Sequence, residues 1–310
     1  MNYPRYFFAA LLALTLLLAA CGGQKGLSNS KAFIGGTAGI VMSFMPGEPP
    51  AEVTSKDQPF SVTVKLQNKG EWAVPQGRAW LTLKGFDAVE FGSTDSALAN
   101  QHPDADIDKN TINPDTGAVI PSTDVFKTFN LKYSGELSGN HEFPFVVDSC
   151  YEYGTIANAE VCVKKDLLDT ADTSVCTVTG AKSAQNSGGP VQVANFQEFG
   201  SGKDAIRFSF DVKKVGTGDV SKTGSQCGTD SASKDVVHVK IDSGMPGLTC
   251  ATLNGGTESD VKLVDSTKPI QCVQQLSGSD KTDKIKLANI ELTYTYLDSV
   301  QTQVLVKQIS

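Results

Sequence analysis

The chain has little of what most hydrolases, metalloproteins and nucleic-acid binders need. Its 310 residues hold only three histidines, His102, His141 and His238, so general-base chemistry has few candidates. No C-x-x-C spacing occurs, which argues against zinc ribbons and thioredoxin-like redox motifs. No G-x-S-x-G elbow, P-loop or Asn-x-Ser/Thr sequon is present. Lys plus Arg number 27 against 34 Asp plus Glu, a net charge of −7. Without a basic surplus to neutralise phosphates, nucleic acid is not an expected partner. A 40% hydrophobic and 20% charged composition argues against global disorder. At roughly 100–150 residues per domain, the length suggests two domains.

What is present begins with the N-terminus. Residues 1–20 read as an export signal: Arg5 is the only charge before Cys21, and Phe7 to Ala20 is an uncharged stretch. About 20 apolar residues are needed to cross a bilayer, so this run is too short for a permanent span. It ends in Leu18-Ala19-Ala20-Cys21-Gly22, which resembles the lipobox of prokaryotic lipoproteins. The resemblance implies cleavage before Cys21, lipidation of that Cys, and attachment to a membrane through acyl chains. Residues 21–36, rich in Gly and Ser, then form a flexible tether. The expected location is outside the cytoplasm, at the cell surface or in the periplasm.

Apart from Cys21, six cysteines remain, an even number that suggests three disulfides in an exported chain. Cys150 and Cys162 flank an expected reversal near residues 154–158, where they would face each other across a hairpin. Among the other four, Cys250–Cys272 and Cys176–Cys227 are favoured, with other pairings open. In the chain-entropy picture such loops are worth roughly 3–4 kcal/mol each.

After residue 37 the dominant pattern is alternation of period two, with no sustained 3.6-residue apolar repeat. Phe60–Leu66, Ile206–Val212, Ile290–Tyr296 and Val304–Ile309 all alternate apolar with polar residues. They read as antiparallel strands with one face on a core and one in water. They take part in an internal duplication. Residues 60–74 align without gaps to 206–220, an offset of 146, with Gly70 matching Gly216. Residues 151–164 align to 294–307, an offset of 143, with Tyr151 and Tyr153 matching Tyr294 and Tyr296.

The expected fold is therefore all-β, with two tandem Ig-like antiparallel β-sandwiches, one over 37–166 and one over 176–310. The acidic and polar stretch 167–175 would link them. The strand ending in Asn68-Lys69-Gly70 resembles the V-x-V-x-N-x-G strand of CARDB-like and related Ig-like modules on prokaryotic cell surfaces. Lipobox, paired sandwiches and cysteines together are similar to exported prokaryotic lipoproteins, those of small-genome archaea among them. The resemblance implies a fold and a surface location and carries no chemistry.

An acidic insertion, residues 87–124, holds eight acids against Lys109. Within it Asp104, Asp106, Asp108, Asn110 and Asp115 fall at positions 1, 3, 5, 7 and 12 of a calcium-loop pattern, which makes Ca²⁺ the candidate cofactor. Lys109 stands where the loop needs Gly, and no helices flank it. Asn186-Ser187-Gly188-Gly189-Pro190 is similar to the Ser-Gly-Gly-Pro around the nucleophile of chymotrypsin-like peptidases. Its Asn and the absence of an upstream Ala-His-Cys segment make it a turn before a strand. Met42 and Met45 fit an alternating strand better than a soft copper pair, and Trp72 and Trp80 fit the sandwich better than a sugar platform.

No residue set looks able to run a reaction. The leading expectation is a non-enzymatic, lipid-anchored surface protein with a structural or binding role. Its partners would be the membrane, other envelope proteins or an extracellular ligand. The alternative is an exported hydrolase or a calcium-dependent protein using the acidic loop.

Overall fold

The computed structural model describes residues 32–309, except 56, 57, 170, 172, 226, 228, 229 and 279. Cys21 and the signal and tether expected before residue 32 lie outside the described residues. The chain is all-β, built from antiparallel sheets packed as sandwiches, as the alternation requires. Residues 33–309 belong to one compact unit with a continuous core.

Two long strands dominate it. β8 (His141–Val163) and β18 (Lys284–Lys307) pair antiparallel from end to end, Lys284 against Val163 and Val306 against His141. Burial alternates along both. On β8 the buried positions include Phe145, Val147, Ser149, Tyr151, Tyr153, Ala157, Ala159 and Val161, while their even-numbered neighbours mostly face outward. β8 and β18 thus form a spine that serves both ends of the molecule.

At one end the spine is widened by β4 (Ala79–Lys84) on β8 and by β2 (Glu52–Thr54), which lies parallel to the end of β18. Over it packs a second sheet of β1 (Ile40–Phe44), β3 (Pro59–Asn68) and β7 (Val125–Lys132), with β3 central. A small hairpin of β5 (Thr111–Ile112) and β6 (Val119–Ile120) sits in the acidic insertion. At the other end β10 (Ala184–Asn186) joins β8, while β13 (Asp219–Ser221) and β14 (Val236–Asp242) join β18, with β16 (Glu258–Lys262) beyond β14. The covering sheet there runs β9 (Gly180–Ala181), β11 (Val191–Gly200), β12 (Ala205–Lys214), β17 (Thr267–Gln275) and β15 (Leu248–Cys250).

The duplication is visible in the registers. β3 and β12, the aligned pair, are each flanked by two strands in the same sense, β1 and β7 in one half, β11 and β17 in the other. On the spine Tyr151 pairs with Tyr296, Tyr153 with Tyr294, and Glu152 with Thr295. Thr295 is Glu152 shifted by 143, so a pseudo-two-fold axis passes through that pair.

Each half therefore completes its sandwich with a strand from the other. The expected reversal at 154–158 is absent; β8 runs straight through it, and β18 runs straight through the repeat positions. A two-residue hairpin needs left-handed backbone at its turn, and no residue of β8 or β18 has positive φ. The expected linker 167–175 is likewise not a point at which the chain leaves one half for good. β8 has crossed before it, and residues 297–307 of β18 return to pair with 141–150.

This geometry corrects two of the expected disulfides. Cys150 and Cys162 lie 12 residues apart on one straight strand, about 40 Å at the usual rise, far beyond bridging range. Cys150 instead bonds Cys227, and Cys176, expected on Cys227, bonds Cys162. Cys250–Cys272 forms as expected between directly paired residues of β15 and β17, with Cα atoms 3.9 Å apart. In the chain-entropy picture the 77-, 14- and 22-residue separations are worth about 4.5, 3 and 3.4 kcal/mol.

Proteolysis under non-reducing conditions followed by mass spectrometry is expected to yield cross-linked peptides joining Cys150 to Cys227 and Cys162 to Cys176. A Cys150–Cys162 peptide would contradict the straight course of β8.

Candidate functional site

The chemistry-bearing residues gather where the spine strands cross the pseudo-two-fold axis. Tyr151, Tyr153, Tyr294 and Tyr296 project from β8 and β18 to the covered face, and all four are buried. Their rings touch in a chain, with centroids 5.7 Å apart for Tyr151–Tyr153, 5.8 Å for Tyr151–Tyr296 and 6.3 Å for Tyr153–Tyr294. Each hydroxyl has a partner. Tyr151 Oη accepts from Ile40 N at 3.2 Å, and Tyr153 Oη donates to Asn68 Oδ1 at 2.9 Å. Tyr294 Oη lies 2.9 Å from Thr155 Oγ1, and Tyr296 Oη accepts from Gly218 N at 2.7 Å. Burial pushes all four phenols upward, disfavouring the phenolate.

This cluster explains the Asn-x-Gly at the end of β3. Asn68 Oδ1 also accepts from Gly70 N, and Asn68 Nδ2 donates to the Trp72 carbonyl, so one side chain closes the turn and receives Tyr153. A Cβ on Gly70 would stand 2.3 Å from both Tyr153 Oη and the Gly188 carbonyl. Its repeat, Gly216, meets Tyr296 Oη at the same 2.3 Å. Beside the pair Tyr151 and Tyr296 opens a cleft of about 270 Å³, lined also by Gly39, Ile40, Gly216 and Asp298. With the phenols neutral and engaged, Asp298 supplies its one carboxylate.

The acidic insertion is folded against β4 and gathers no ligand sphere. Ile107 is fully buried and exchanges both backbone hydrogen bonds with Val74. That holds the segment extended, so Asp104, Asp106 and Asp108 are spread along its exposed side. Asp104 lies 3.9 Å from Lys127, Asp106 accepts from Gln76 N at 2.7 Å, and the buried Asn110 accepts from Ser122 N. Asp115 belongs to the turn that Asn113 organises. Among the described residues no group of three or more His, Cys, Asp or Glu is placed to hold a metal ion. The residues of the expected calcium loop, Asp104, Asp106, Asp108, Asn110 and Asp115, are not brought together: the buried Ile107, fourth in the pattern, holds the backbone extended where converging oxygens need a tight turn.

Ser187 is buried, and its Oγ accepts from Ile156 N at 2.9 Å. The histidines are engaged elsewhere. His102 Nδ1 lies 2.8 Å from the Ala79 carbonyl, His238 Nδ1 lies 2.9 Å from Asp260, and His141 packs on Phe143. Trp72 is half-buried on Gly154, and Trp80 lies 6.0 Å from His102.

Two carboxylates escaped the sequence reading. Glu71 accepts from the backbone N–H groups of Ile34, Gly35 and Gly188, tying the start of the described chain to the turn before β11. Glu198 is fully buried on β11, accepts from Cys162 N at 3.0 Å and lies 3.3 Å from Lys182 Nζ. Burial outweighs the pull of those donors and pushes its carboxyl up to about 7. Only a charged residue at an inward position of an alternating strand, between Phe196 and Gly200, hinted at it.

No known protein family matches the chain, and no curated protein does.

Two stability outcomes follow from this geometry. Gly70→Ala is expected to lose roughly 2–3 kcal/mol, because backbone rather than a flexible side-chain tip opposes the new methyl. Gly77→Ala, open to solvent, should stay within about 0.5 kcal/mol in the same urea titration. Glu198 binds its proton more tightly folded than unfolded, so its contribution to stability falls as pH rises from 4.5 to about 7. That fall is of order 3 kcal/mol. Urea midpoints at pH 5 and pH 8 should show it in the parent and lack it in Glu198→Gln; identical pH profiles would refute the assignment.

Proposed function

We propose that the protein is an exported lipoprotein, anchored through Cys21, whose duplicated sandwich serves a structural or binding role without catalysis. The observation that carries this reading is the joining of an uncharged run ending in Leu18-Ala19-Ala20-Cys21 to a body with three disulfides. Disulfides form and persist in oxidising compartments, outside the cytoplasm. No helix among the described residues is long and apolar enough to cross a membrane, so a lipid on Cys21 supplies the attachment. The tether then sets the sandwich body off from the bilayer, and the rigid sheets display its loops to partners. The hydroxyls and imidazoles described above are engaged by backbone groups and neighbouring side chains, which favours binding over turnover. The family that the reading suggests is that of prokaryotic surface lipoproteins with CARDB-like sandwiches.

Intact mass of the protein purified from membranes tests the reading. The expected species starts at Cys21, carries acyl mass, and gains two hydrogens on reduction for each of its three bridges. Cys21→Ser should leave the membrane fraction. A mature chain without acyl mass, or one with free thiols throughout, would overturn it.

A further inference from the structure

The two halves differ at one place where the duplication says they should agree. The outer edge of β8 is filled at residues 157–159 by β10, Ala184 to Asn186. Shifted by 143, those positions are Val300, Gln301 and Thr302 on β18. There β13 ends its pairing at Leu297, and β2 begins at Leu305. Among the described residues, no strand pairs with the edge between them.

Backbone direction makes this a usable edge. Leu305 N–H donates outward to the Ala51 carbonyl. Alternation along the strand then turns the N–H and C=O groups of Ser299, Gln301 and Gln303 the same way. Ser299 N–H is met by its neighbour Asp298, which leaves Gln301 and Gln303 facing the gap. A hollow of about 400 Å³ adjoins these residues, lined by Gln301, Thr302 and Gln303 and by Pro144 of β8. Natural edge strands are blunted by Lys, Pro or bulges. The edge strand β16 carries Glu258, Asp260 and Lys262, whereas Ser299–Val304 has no charge, no proline and an unbroken register.

We infer that this recess is a strand-acceptor site: it binds an extended segment of another polypeptide, which adds to β18 in the place that β10 takes on β8. The occupant is a free peptide segment rather than a second copy of this edge. Each copy's edge is sunk between its own β13 and β2, so two such edges would collide before their backbones met. Recognition comes from the main chain of Gln301 and Gln303, with small or polar side chains favoured beside Val300 and Thr302, as in the Ala-Gln-Asn of β10. The inference deepens the binding role proposed above and rests on it for the source of the partner, another exported chain. The anchor at Cys21 has no part in the contact.

Amide hydrogen exchange on the full chain tests it, with a synthetic peptide of the sequence 182–188 as probe. In the free protein the Gln301 and Gln303 amides should exchange fast while the Asn158 amide, under β10, is protected. Saturating peptide should slow exchange at Gln301 and Gln303 roughly tenfold or more. A peptide N-methylated along its backbone should have no effect, a control that leaves the protein's own folding untouched. Gln301→Pro should abolish the protection, since an edge tolerates the lost donor. Protection of both amides in the free protein, no slowing at millimolar peptide, or equal slowing by the methylated peptide would each overturn the site. None of these outcomes bears on acylation, so a failed site and a failed anchor are told apart.

Discussion

The antiparallel pairing of β8 with β18 is the contact on which the rest of the molecule depends. Along its length each strand satisfies its inner hydrogen bonds with the other, and each presents alternate residues to the core. Apart from the small β5–β6 hairpin, the described strands either extend this pair or belong to the two sheets that cover it. Because each long strand serves both halves, the halves cannot separate without tearing the spine. Their cores merge accordingly into one. Long-range pairing of this kind is costly in chain entropy, and the 77-residue Cys150–Cys227 link offsets part of that cost near the centre of the spine.

The tyrosine cluster stands where that spine meets the covering sheets. Its four hydroxyls reach the start of β1, the turn after β3, Thr155 on the spine itself, and the approach to β13. Large rings fill the space at the axis; the hydroxyls of Tyr151 and Tyr296 take the backbone N–H groups of Ile40 and Gly218, and those of Tyr153 and Tyr294 take the side chains of Asn68 and Thr155. Gly70 and Gly216 are glycines because the phenol tips take the space a side chain would need. An intramolecular two-fold thus reuses one packing solution twice, and departs from it at β10 and at the bare edge of β18.

Much of the fold was legible before any coordinates. Alternation identified Phe60–Leu66, Ile206–Val212 and Ile290–Tyr296 as half-buried strands, and each is one. The offsets of 146 and 143 pointed to repeated units whose equivalent strands do occupy equivalent places. Cys250–Cys272 was legible because its two strands are near in sequence. The error came at residues 154–158, read as a reversal. A period of two says which face a residue takes and is the same for a strand that turns back and one that runs on, so the partner strand is invisible to it. Two wrong disulfides followed from that one choice. The calcium spacing meets a related limit: spacing of acids says nothing of whether the backbone curls, and Ile107, drawn into the core, keeps it extended.

Composition, alternation and cysteine count were enough to establish an oxidised all-β chain with two related halves, because burial and pleat are local properties that each residue reports for itself. Which strand lies beside which, which sulfurs meet, and that Glu198 is buried beside Lys182 depend on contacts between segments far apart in the chain. Those contacts were settled only when β8 and β18 paired end to end, since backbone hydrogen bonds are blind to side-chain identity and are allotted by the packing of the whole.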